Sequence, residues 1–296
     1  MRLFVTGATG FIGSAVVLEL HKAGHDVLGL ARSDTAAETL ARQGVAVRRG
    51  DLSNIDGLAR GARSCDGVIH LAFDHDFSRF QENIDLNNKA VQSMADALHG
   101  SDRPLVIASG TLLASGRTGT EEDAAASGEG ASGRGATETV VKAVAEHGVR
   151  GVVMRLPPSV HGEGDHGFVP QLIATARRTG VAAFVGDGAN RWPAVHRLDA
   201  ARLFRLAVEA APPGAVLHAV AEEGIPMREI MGTIGQELGL PTRSFSKEDA
   251  PAQFDWMARF VQIDNPTSNA LTRKTMGWEP QQKGLLADMR ESGYLS

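Results

Sequence analysis

The chain has 296 residues, of which 43% are hydrophobic and 22% charged, and this balance is typical of a globular protein with a sizeable core. The formal net charge of -5 argues against a nucleic-acid partner, and the single cysteine excludes an internal disulfide and favours a reducing compartment. No apolar run approaches the roughly 18 residues of a membrane span and the amino-terminal run is too short for a signal peptide, so we expect a soluble, cytoplasmic protein.

Short apolar runs alternate with helical patterns through the first two-thirds of the chain, which is typical of βαβ units. The strand-like runs lie at 3–7, 26–31, 45–51, 67–73, 104–110 and 149–157. The helical patterns lie at 12–23, 34–43, 82–98, 136–147, 168–178, 197–211 and 226–239. The alternation predicts an α/β fold with a doubly wound parallel sheet. The segment 115–135 is poor in large apolar residues, and we expect a surface loop there.

The first predicted strand runs into a glycine-rich segment, VTGATGFIGSAV, that opens a helix. Its glycines follow a G-x-x-G-x-x-G spacing, which permits a tight turn, close approach of the backbone to a pyrophosphate, and close helix–strand packing. The free N–H groups at the start of the helix suit phosphates. The alternative is a glycine-rich turn without a ligand. The predicted dinucleotide-binding residues of this segment are Gly7, Ala8, Thr9, Gly10, Phe11, Ile12 and Gly13.

The end of the second predicted strand indicates which dinucleotide binds. An acidic residue there would hydrogen-bond the ribose of NAD, but the sequence LARSD places Arg32 and Ser33 at this turn. Arg32 can hold a 2′-phosphate by charge-assisted hydrogen bonds and Ser33 can add a hydroxyl, so we expect NADP(H), with NAD as the second choice. The alternative for Arg32 is a solvated surface arginine. We expect Asp34 to be a helix N-cap, and Asp51 and Leu52 to meet the adenine; the alternative for Asp51 is an aspartate of the turn.

Motifs spread over most of the chain resemble the extended short-chain dehydrogenase/reductase family, also called the NAD-dependent epimerase/dehydratase family. They are TGATGFIG at 6–13, GDL at 50–52, HLA at 70–72, ASGT at 108–111, RLPPSVHG at 155–162 and VHRLDAAR at 195–202. The resemblance implies a Rossmann domain at 1–161 that also receives about 195–221. It implies a smaller C-terminal α+β substrate lobe, formed mainly by 162–296. Further cofactor contacts are expected from Leu71, Ala72, Leu156 and Pro157.

The family carries catalysis on a Ser or Thr and on a Tyr-x-x-x-Lys pair within one helix. By this resemblance Thr111 takes the Ser/Thr position, with Ser109 as the alternative. Lys142 takes the lysine position, where its ammonium would bind the nicotinamide ribose. Four residues earlier, the tyrosine position holds Glu138. The only tyrosine of the chain is Tyr294, so no shift of the alignment restores the missing group.

Three proton donors therefore stay open, namely Glu138, His161 and a bound water. Glu138 and Lys142 share a helix face, so Glu138 is either a substitute acid/base or one half of an exposed ion pair. A neighbouring ammonium would lower the pKa of the carboxyl group, which is the wrong direction for a proton donor. His161 is either a proton relay in the predicted substrate loop or a histidine that hydrogen-bonds the backbone. The residues His161, Glu163, Asp165 and His166 also resemble metal ligands, but the glycine-rich loop argues against a metal.

Several polar and aromatic residues are candidates around the substrate. We expect Phe73, Arg191 and Trp192 to bind it, with Arg191 pairing with an anionic or polyhydroxyl group and Trp192 offering a stacking face. The alternative is core packing for Trp192 and a surface role for Arg191. Asn87 could match the family's structural asparagine, although Asn83 and Asn88 lie too close to separate. His196 is expected to dock the last Rossmann helix.

These residues predict an NADP(H)-dependent oxidoreductase or epimerase-like enzyme that transfers hydride at a carbonyl or hydroxyl carbon of a small molecule. One alternative is a non-catalytic NADP(H) sensor, which the missing tyrosine would suit. A second alternative is a nucleotide-sugar epimerase or dehydratase. We expect no nucleic acid, membrane or metal partner, and a possible homodimer through the helices at 82–98 and 136–147.

Overall fold

The computed structural model describes residues 1–74, 79–111, 117–125, 134–291 and 293–294. Within the predicted surface loop at 115–135, residues 115–116 and 126–133 lie outside these residues. In chain order the strands are β1 (Arg2–Thr6), β2 (Asp26–Ala31), β3 (Ala46–Arg49), β4 (Gly67–His70), β5 (Pro104–Gly110), β6 (Arg150–Leu156), β7 (Ser159–His161), β8 (Ala182–Val185), β9 (Arg191–His196), β10 (Val216–His218), β11 (Glu222–Pro226) and β12 (Thr242–Phe245).

The helices, in chain order, are α1 (Phe11–Lys22), α2 (Asp34–Arg42), α3 (Ile55–Arg63), α4 (Phe80–Leu98), α5 (Gly135–Ala143), α6 (Phe168–Thr179), α7 (Arg197–Ala210), α8 (Met227–Leu238), α9 (Ala250–Phe254), α10 (Ala270–Met276) and α11 (Leu285–Glu291). Seven of the helices lie where the sequence predicts them, and α3, α9, α10 and α11 were not predicted. Short 3₁₀ turns follow at Val144–His147, Asp255–Ala258 and Phe260–Gln262. Within the described residues no helix is long and apolar enough to cross a bilayer.

A seven-stranded sheet in the order β10-β6-β5-β4-β1-β2-β3 forms the centre of the molecule. Every neighbouring pair in it is parallel, which confirms the predicted doubly wound α/β fold. The side chains of each strand point alternately into two apolar layers, one on each face of the sheet. Leu3 and Val5 pack with α1 and α7 on one face, while Phe4 packs with α3 and α4 on the other.

The sequence pattern missed α3, and its two glycines explain why. Gly57 and Gly61 lower helix propensity in a nine-residue segment. A Cβ at Gly61 would lie 2.6 Å from the ring of Phe4, so the absent side chain is what lets the helix lie against the sheet. Packing therefore overrides local propensity at this point.

A second apolar core lies beyond β6. It is formed by α6, α8 and α11 with a three-stranded sheet, β11-β9-β7, and a two-stranded sheet, β12-β8. The aromatic ring of Trp192 belongs to this core. Helix α7 belongs instead to the core of the large sheet, where it packs against α1.

Candidate active site

The glycine loop lies at the carboxyl edge of the sheet, where the strand order reverses between β1 and β4. Gly7 has a φ of 69°, and the N–H of Gly10 donates to Gly7 O at 2.9 Å. A Cβ on Gly13 would lie 1.9 Å from the same oxygen, so only glycine fits there. Residues 7–13 thus form a tight turn, the glycine cradle. Helix α1 begins at Phe11 and presents its first N–H groups to this cradle. The shape and the N–H donors fit the pyrophosphate of a dinucleotide.

The loop after β4 packs directly on the glycine loop. The N–H of Ala72 donates to Thr6 Oγ1 at 3.2 Å, and a Cβ on Gly7 would lie 2.8 Å from Ala72 N. Leu71 and Ala72 are thereby half-buried beside the predicted dinucleotide site. On the other side, Leu156 at the end of β6 accepts a hydrogen bond from Thr111 N, and Pro157 is buried behind it.

Basic side chains gather at the ends of β2 and β3. Arg32 is exposed directly after β2. Ser33, rather than the expected Asp34, is the N-cap of α2, since its Oγ accepts from Ala36 N at 3.2 Å. Arg49, the last residue of β3, donates to the carbonyl of Ser33 at 2.5 Å and pairs with Asp34.

Arg49 was not predicted from the sequence, although its position at the end of the strand beside β2 was a usable signal. Asp51 Oδ1 accepts hydrogen bonds from the N–H of Ser53 at 2.8 Å and from its hydroxyl at 2.6 Å. These two hydrogen bonds hold the pKa of the Asp51 carboxyl below its ordinary value, and the charge of Arg32 adds to the effect. Leu52 is half-buried against the core on that face of the sheet.

Thr111 is buried at the end of β5, where it meets the C-terminal part of the chain. Asn265 Nδ2 donates to Thr111 Oγ1 at 3.1 Å. Because the hydroxyl oxygen accepts from Asn265, its own proton is available for another acceptor. No sequence motif pointed to Asn265, which lies 154 residues further along the chain.

Glu138 is buried in an ion pair with Arg155 of β6. Arg155 donates from Nε to Glu138 Oε1 at 3.0 Å and from Nη2 to Oε2 at 2.6 Å. Ser109 Oγ donates to the same Oε1 at 2.6 Å. The carboxylate is 2% exposed and the guanidinium 0%. The expected exposed pair with Lys142 is not formed, because Glu138 faces the sheet while Lys142 lies exposed on the flank of α5.

The ion pair extends into a wider polar network. Arg155 also donates to the carbonyl of Asp123 at 2.9 Å and meets His218 Nε2 at 3.3 Å. The other ring nitrogen of His218 donates to Ser268 O at 2.7 Å. Burial is the main cause that lowers the pKa of His218. Helix α5 is thus tied through β6 and β10 to the segment before α10.

A second buried chain of hydrogen bonds runs beneath the site, from β1 to α5. Thr6 Oγ1 lies 2.7 Å from His70 Nδ1, and His70 Nε2 lies 3.0 Å from Asn87 Oδ1. Asn87 Nδ2 then donates to Thr137 Oγ1 at 3.1 Å, and that hydroxyl donates to Asn88. Burial lowers the pKa of His70 to about 4, so the ring is neutral and can both accept and donate.

The three candidate asparagines therefore separate by their contacts. Asn87 lies inside the buried chain and Asn88 at its end, whereas Asn83 Nδ2 donates to the carbonyl of Asp74 at 3.3 Å.

His161 is buried in β7 and bonds to Asp288 of α11. Its Nδ1 lies 2.7 Å from Asp288 Oδ2, while Nε2 has no partner in the described part of the chain. Burial lowers the pKa of the imidazole, against the opposing effect of Asp288. His196 packs edge-to-face on this ring, with centroids 5.3 Å apart, and caps α7 through Leu198 N. The imidazole of His161 is buried, as is the hydroxyl of Thr111.

The loop at 162–167 is held by the far C-terminal segment. Tyr294 accepts from Gly162 N at 2.8 Å and donates to Asp165 Oδ2 at 2.9 Å. His166 meets the ring of Phe11 edge-to-face at 5.8 Å, so the loop touches the glycine cradle. Burial raises the pKa of the Tyr294 phenol.

The three predicted substrate residues lie in different settings. Trp192 is 2% exposed and packs against Phe168 at 5.7 Å, so its ring offers no free stacking face. Arg191 is paired with Asp264, with Nε–Oδ1 at 3.0 Å and Nη2–Oδ2 at 2.8 Å. Phe73 is half-buried after β4, at the carboxyl edge of the sheet.

Comparison with known proteins agrees with this architecture. The sequence model of the NAD dependent epimerase/dehydratase family matches residues 3–219. An uncharacterised protein of Schizosaccharomyces pombe is 46% identical, over 99% of this chain and 100% of that protein. The 2-alkyl-3-oxoalkanoate reductase of Stenotrophomonas maltophilia is 30% identical, over 81% of this chain and 77% of that protein. A dTDP-glucose 4,6-dehydratase of Streptomyces venezuelae, solved with NAD bound, has a TM-score of 0.77 at 20% identity, over 98% of this chain and 97% of that one. This last likeness is one of fold.

Proposed function

This chain belongs to the NAD-dependent epimerase/dehydratase family of NAD(P)-dependent enzymes, and we propose that it is an NADP(H)-dependent oxidoreductase acting at a carbonyl or hydroxyl carbon of a small molecule. The observation that carries the proposal is the glycine cradle at the strand-order reversal, with Arg32 and Arg49 beyond it. The S. maltophilia relative is itself named as a reductase of an oxoalkanoate, which supports a carbonyl substrate.

The preference for NADP(H) rests on charge at the ends of β2 and β3. No acidic residue ends β2, where NAD-binding proteins place one against the ribose. Arg49 donates to the carbonyl of Ser33, and Arg32 is the residue before Ser33 in the chain, so a 2′-phosphate bound beside Ser33 would lie near two guanidinium groups and a hydroxyl. Asp34 already neutralises part of this charge, which makes Arg32 the main discriminating residue.

The roles of the reacting groups follow from their hydrogen bonds. The nicotinamide, when bound, exchanges a hydride with the substrate carbon. Thr111 is the hydroxyl that can donate to the substrate oxygen, because Asn265 donates to it, whereas the proton of Ser109 is committed to Glu138. Lys142, exposed on α5, is assigned to the nicotinamide ribose.

The proton comes, in this proposal, from water by way of Thr111. Glu138 is an acceptor for three donors within a buried ion pair, and His161 is bonded to Asp288 through Nδ1 and packs edge-to-face on His196. Neither group is therefore placed to deliver a proton to a substrate.

The buried Glu138–Arg155 pair also favours a second candidate, a non-catalytic NADP(H) sensor. In that case the glycine cradle binds NADP(H), while Glu138, at the tyrosine position, only stabilises the fold. The same pair argues against a nucleotide-sugar epimerase, since that chemistry needs an accessible base at this position.

A fluorescence titration with NADPH and NADH tests the cofactor proposal. Arg32→Ala is expected to weaken NADPH binding about 10- to 100-fold and to leave NADH binding unchanged, because one charged hydrogen-bond donor is lost. Arg42→Ala, an exposed arginine on the following helix α2 with only local hydrogen bonds, is the matched control. Equal affinity of the wild type for both cofactors would refute the NADP(H) preference, and failure to bind either would refute the function. Binding without NADPH oxidation by any carbonyl compound would favour the sensor.

A further inference from the structure

Arg134 places a cation at the carboxyl edge of the sheet, immediately before α5. Its Nη1 donates to the carbonyl of Ala108 in β5 at 3.0 Å. The guanidinium carbon lies 3.9 Å above the centroid of the Phe73 ring, which follows β4. The ring and the carbonyl fix the plane of the guanidinium between the ends of these two strands. Thr111 follows the same strand β5 three residues later.

This cation has no counter-charge among the residues that the structure describes. Burial lowers the pKa of Arg134 to about 10, and its charge contributes to the low pKa of His70. Other enclosed arginines are satisfied: Arg155 pairs with Glu138, and Arg150 donates to three carbonyls near the end of α7. Arg134 makes one such bond, yet its side chain remains partly open to solvent. An enclosed charge of this kind is costly unless an anion meets it.

We propose that Arg134 binds a carboxylate of the substrate, so that the enzyme acts on carbonyl or hydroxyl compounds that carry an acid group. This inference rests on the proposed function, because it concerns the same site. A guanidinium that is held flat presents paired N–H groups that match a carboxylate. The ring of Phe73 orients this fork.

The position of Arg134 separates it from the cofactor phosphates. The glycine cradle lies between β1 and α1, and Arg32 and Arg49 lie at the ends of β2 and β3. Arg134 lies on the opposite side of β1, at the ends of β4 and β5. An anion bound there is therefore part of the substrate and lies on the side of Thr111.

The test compares oxo acids of graded chain length with their methyl esters, in NADPH oxidation assays. The wild type is expected to show a KM at least 10-fold lower for an acid than for its ester. Arg134→Gln should raise the KM of the acid about 10- to 100-fold and leave that of the ester unchanged, whereas Arg134→Lys should restore part of the difference because it keeps the charge but not the fork. Arg63→Gln, an exposed arginine at the end of α3, is the matched control.

NADPH titration of each variant distinguishes the ways in which the inference can fail. Arg134→Gln should bind NADPH as the wild type does, which also reports that the variant is folded. The carboxylate role would be overturned if the wild type had the same KM for esters and acids, or if Arg134→Gln raised the KM of both equally. It would also be overturned if the protein bound NADPH but reduced none of the oxo acids. Weaker NADPH binding by a folded Arg134→Gln would assign the arginine to the cofactor instead. A wild type that binds no NADPH would defeat the proposed function itself.

Discussion

Replacing Glu138 by glutamine tests what the buried ion pair does for the protein. The amide has nearly the same shape but no charge, so Arg155 would keep its charge in a site where it is 0% exposed. One end of the amide is also a donor and would face the donors of Arg155 and Ser109. At least one of the three hydrogen bonds is therefore lost together with the charge.

The expected cost is large for a conservative substitution. Removing one partner of a buried ion pair typically costs about 3–5 kcal/mol, because the remaining charge stays buried and uncompensated. A protein of this kind has a total stability of roughly 5–15 kcal/mol. At roughly 2–3 °C for each kcal/mol, the melting temperature should fall by roughly 6–15 °C. Replacing Glu138 by tyrosine, the family's residue, should also destabilise the fold, since a neutral phenol cannot pair with Arg155.

Urea unfolding at pH 7 measures this effect. Glu146→Gln, an exposed glutamate just after α5, is the control and should stay within about 0.5 kcal/mol of the wild type. Changing both Glu138 and Arg155 to methionine should cost less than Glu138→Gln, because no charge is then left unpaired. A loss below about 1 kcal/mol for Glu138→Gln would refute the reasoning and imply that water reaches Arg155.

Two further predictions concern the cofactor edge of the sheet. The pKa of His70 is about 4 in the folded protein and 6.5 in the unfolded chain, so protonation of the unfolded chain should remove about 3 kcal/mol of stability as the pH falls from 6.5 to 4. Urea unfolding at several pH values should show a smaller loss in His70→Gln than in the wild type or in the exposed control His147→Gln, and equal slopes would contradict the assignment. Gly13→Ala should abolish NADPH binding in a titration, because its Cβ would lie 1.9 Å from Gly7 O. Gly232→Ala in α8 is the control: its Cβ would have no neighbouring atom within 4 Å, so this substitution should instead stabilise the protein by about 0.5–1 kcal/mol in urea unfolding. A Gly13→Ala protein that still binds NADPH would contradict the tight packing of the glycine loop.

The parts of the molecule that the sequence predicts well depend on contacts close together in the chain. The glycine cradle involves residues 7–13 and the strand before them, so its spacing alone predicts its geometry. The parallel sheet is predicted by the regular alternation of short apolar runs with helical patterns. Helix α3 was not predicted, because Gly61, which weakens its helical pattern, is required by the ring of Phe4 on the distant strand β1.

The chemistry of the candidate site depends on distant partners, which residue types alone do not reveal. Glu138 meets Arg155 across 17 residues, Arg191 meets Asp264 across 73, and Thr111 meets Asn265 across 154. The sequence showed that a tyrosine was missing but not that a buried charge pair took its place. Trp192 was expected as a stacking face, yet the inward side of β9 carries it into the core.

The single tyrosine of the chain gives the loop at 162–167 a built-in spectroscopic reporter. Tyr294 holds that loop through Gly162 and Asp165, and no other residue of its type exists in the sequence. Protein grown with 3-fluorotyrosine would therefore give one ¹⁹F resonance, without assignment by mutagenesis. Its shift and linewidth during addition of cofactor would report whether the loop beside Phe11 stays clamped or exchanges between states as the cradle fills.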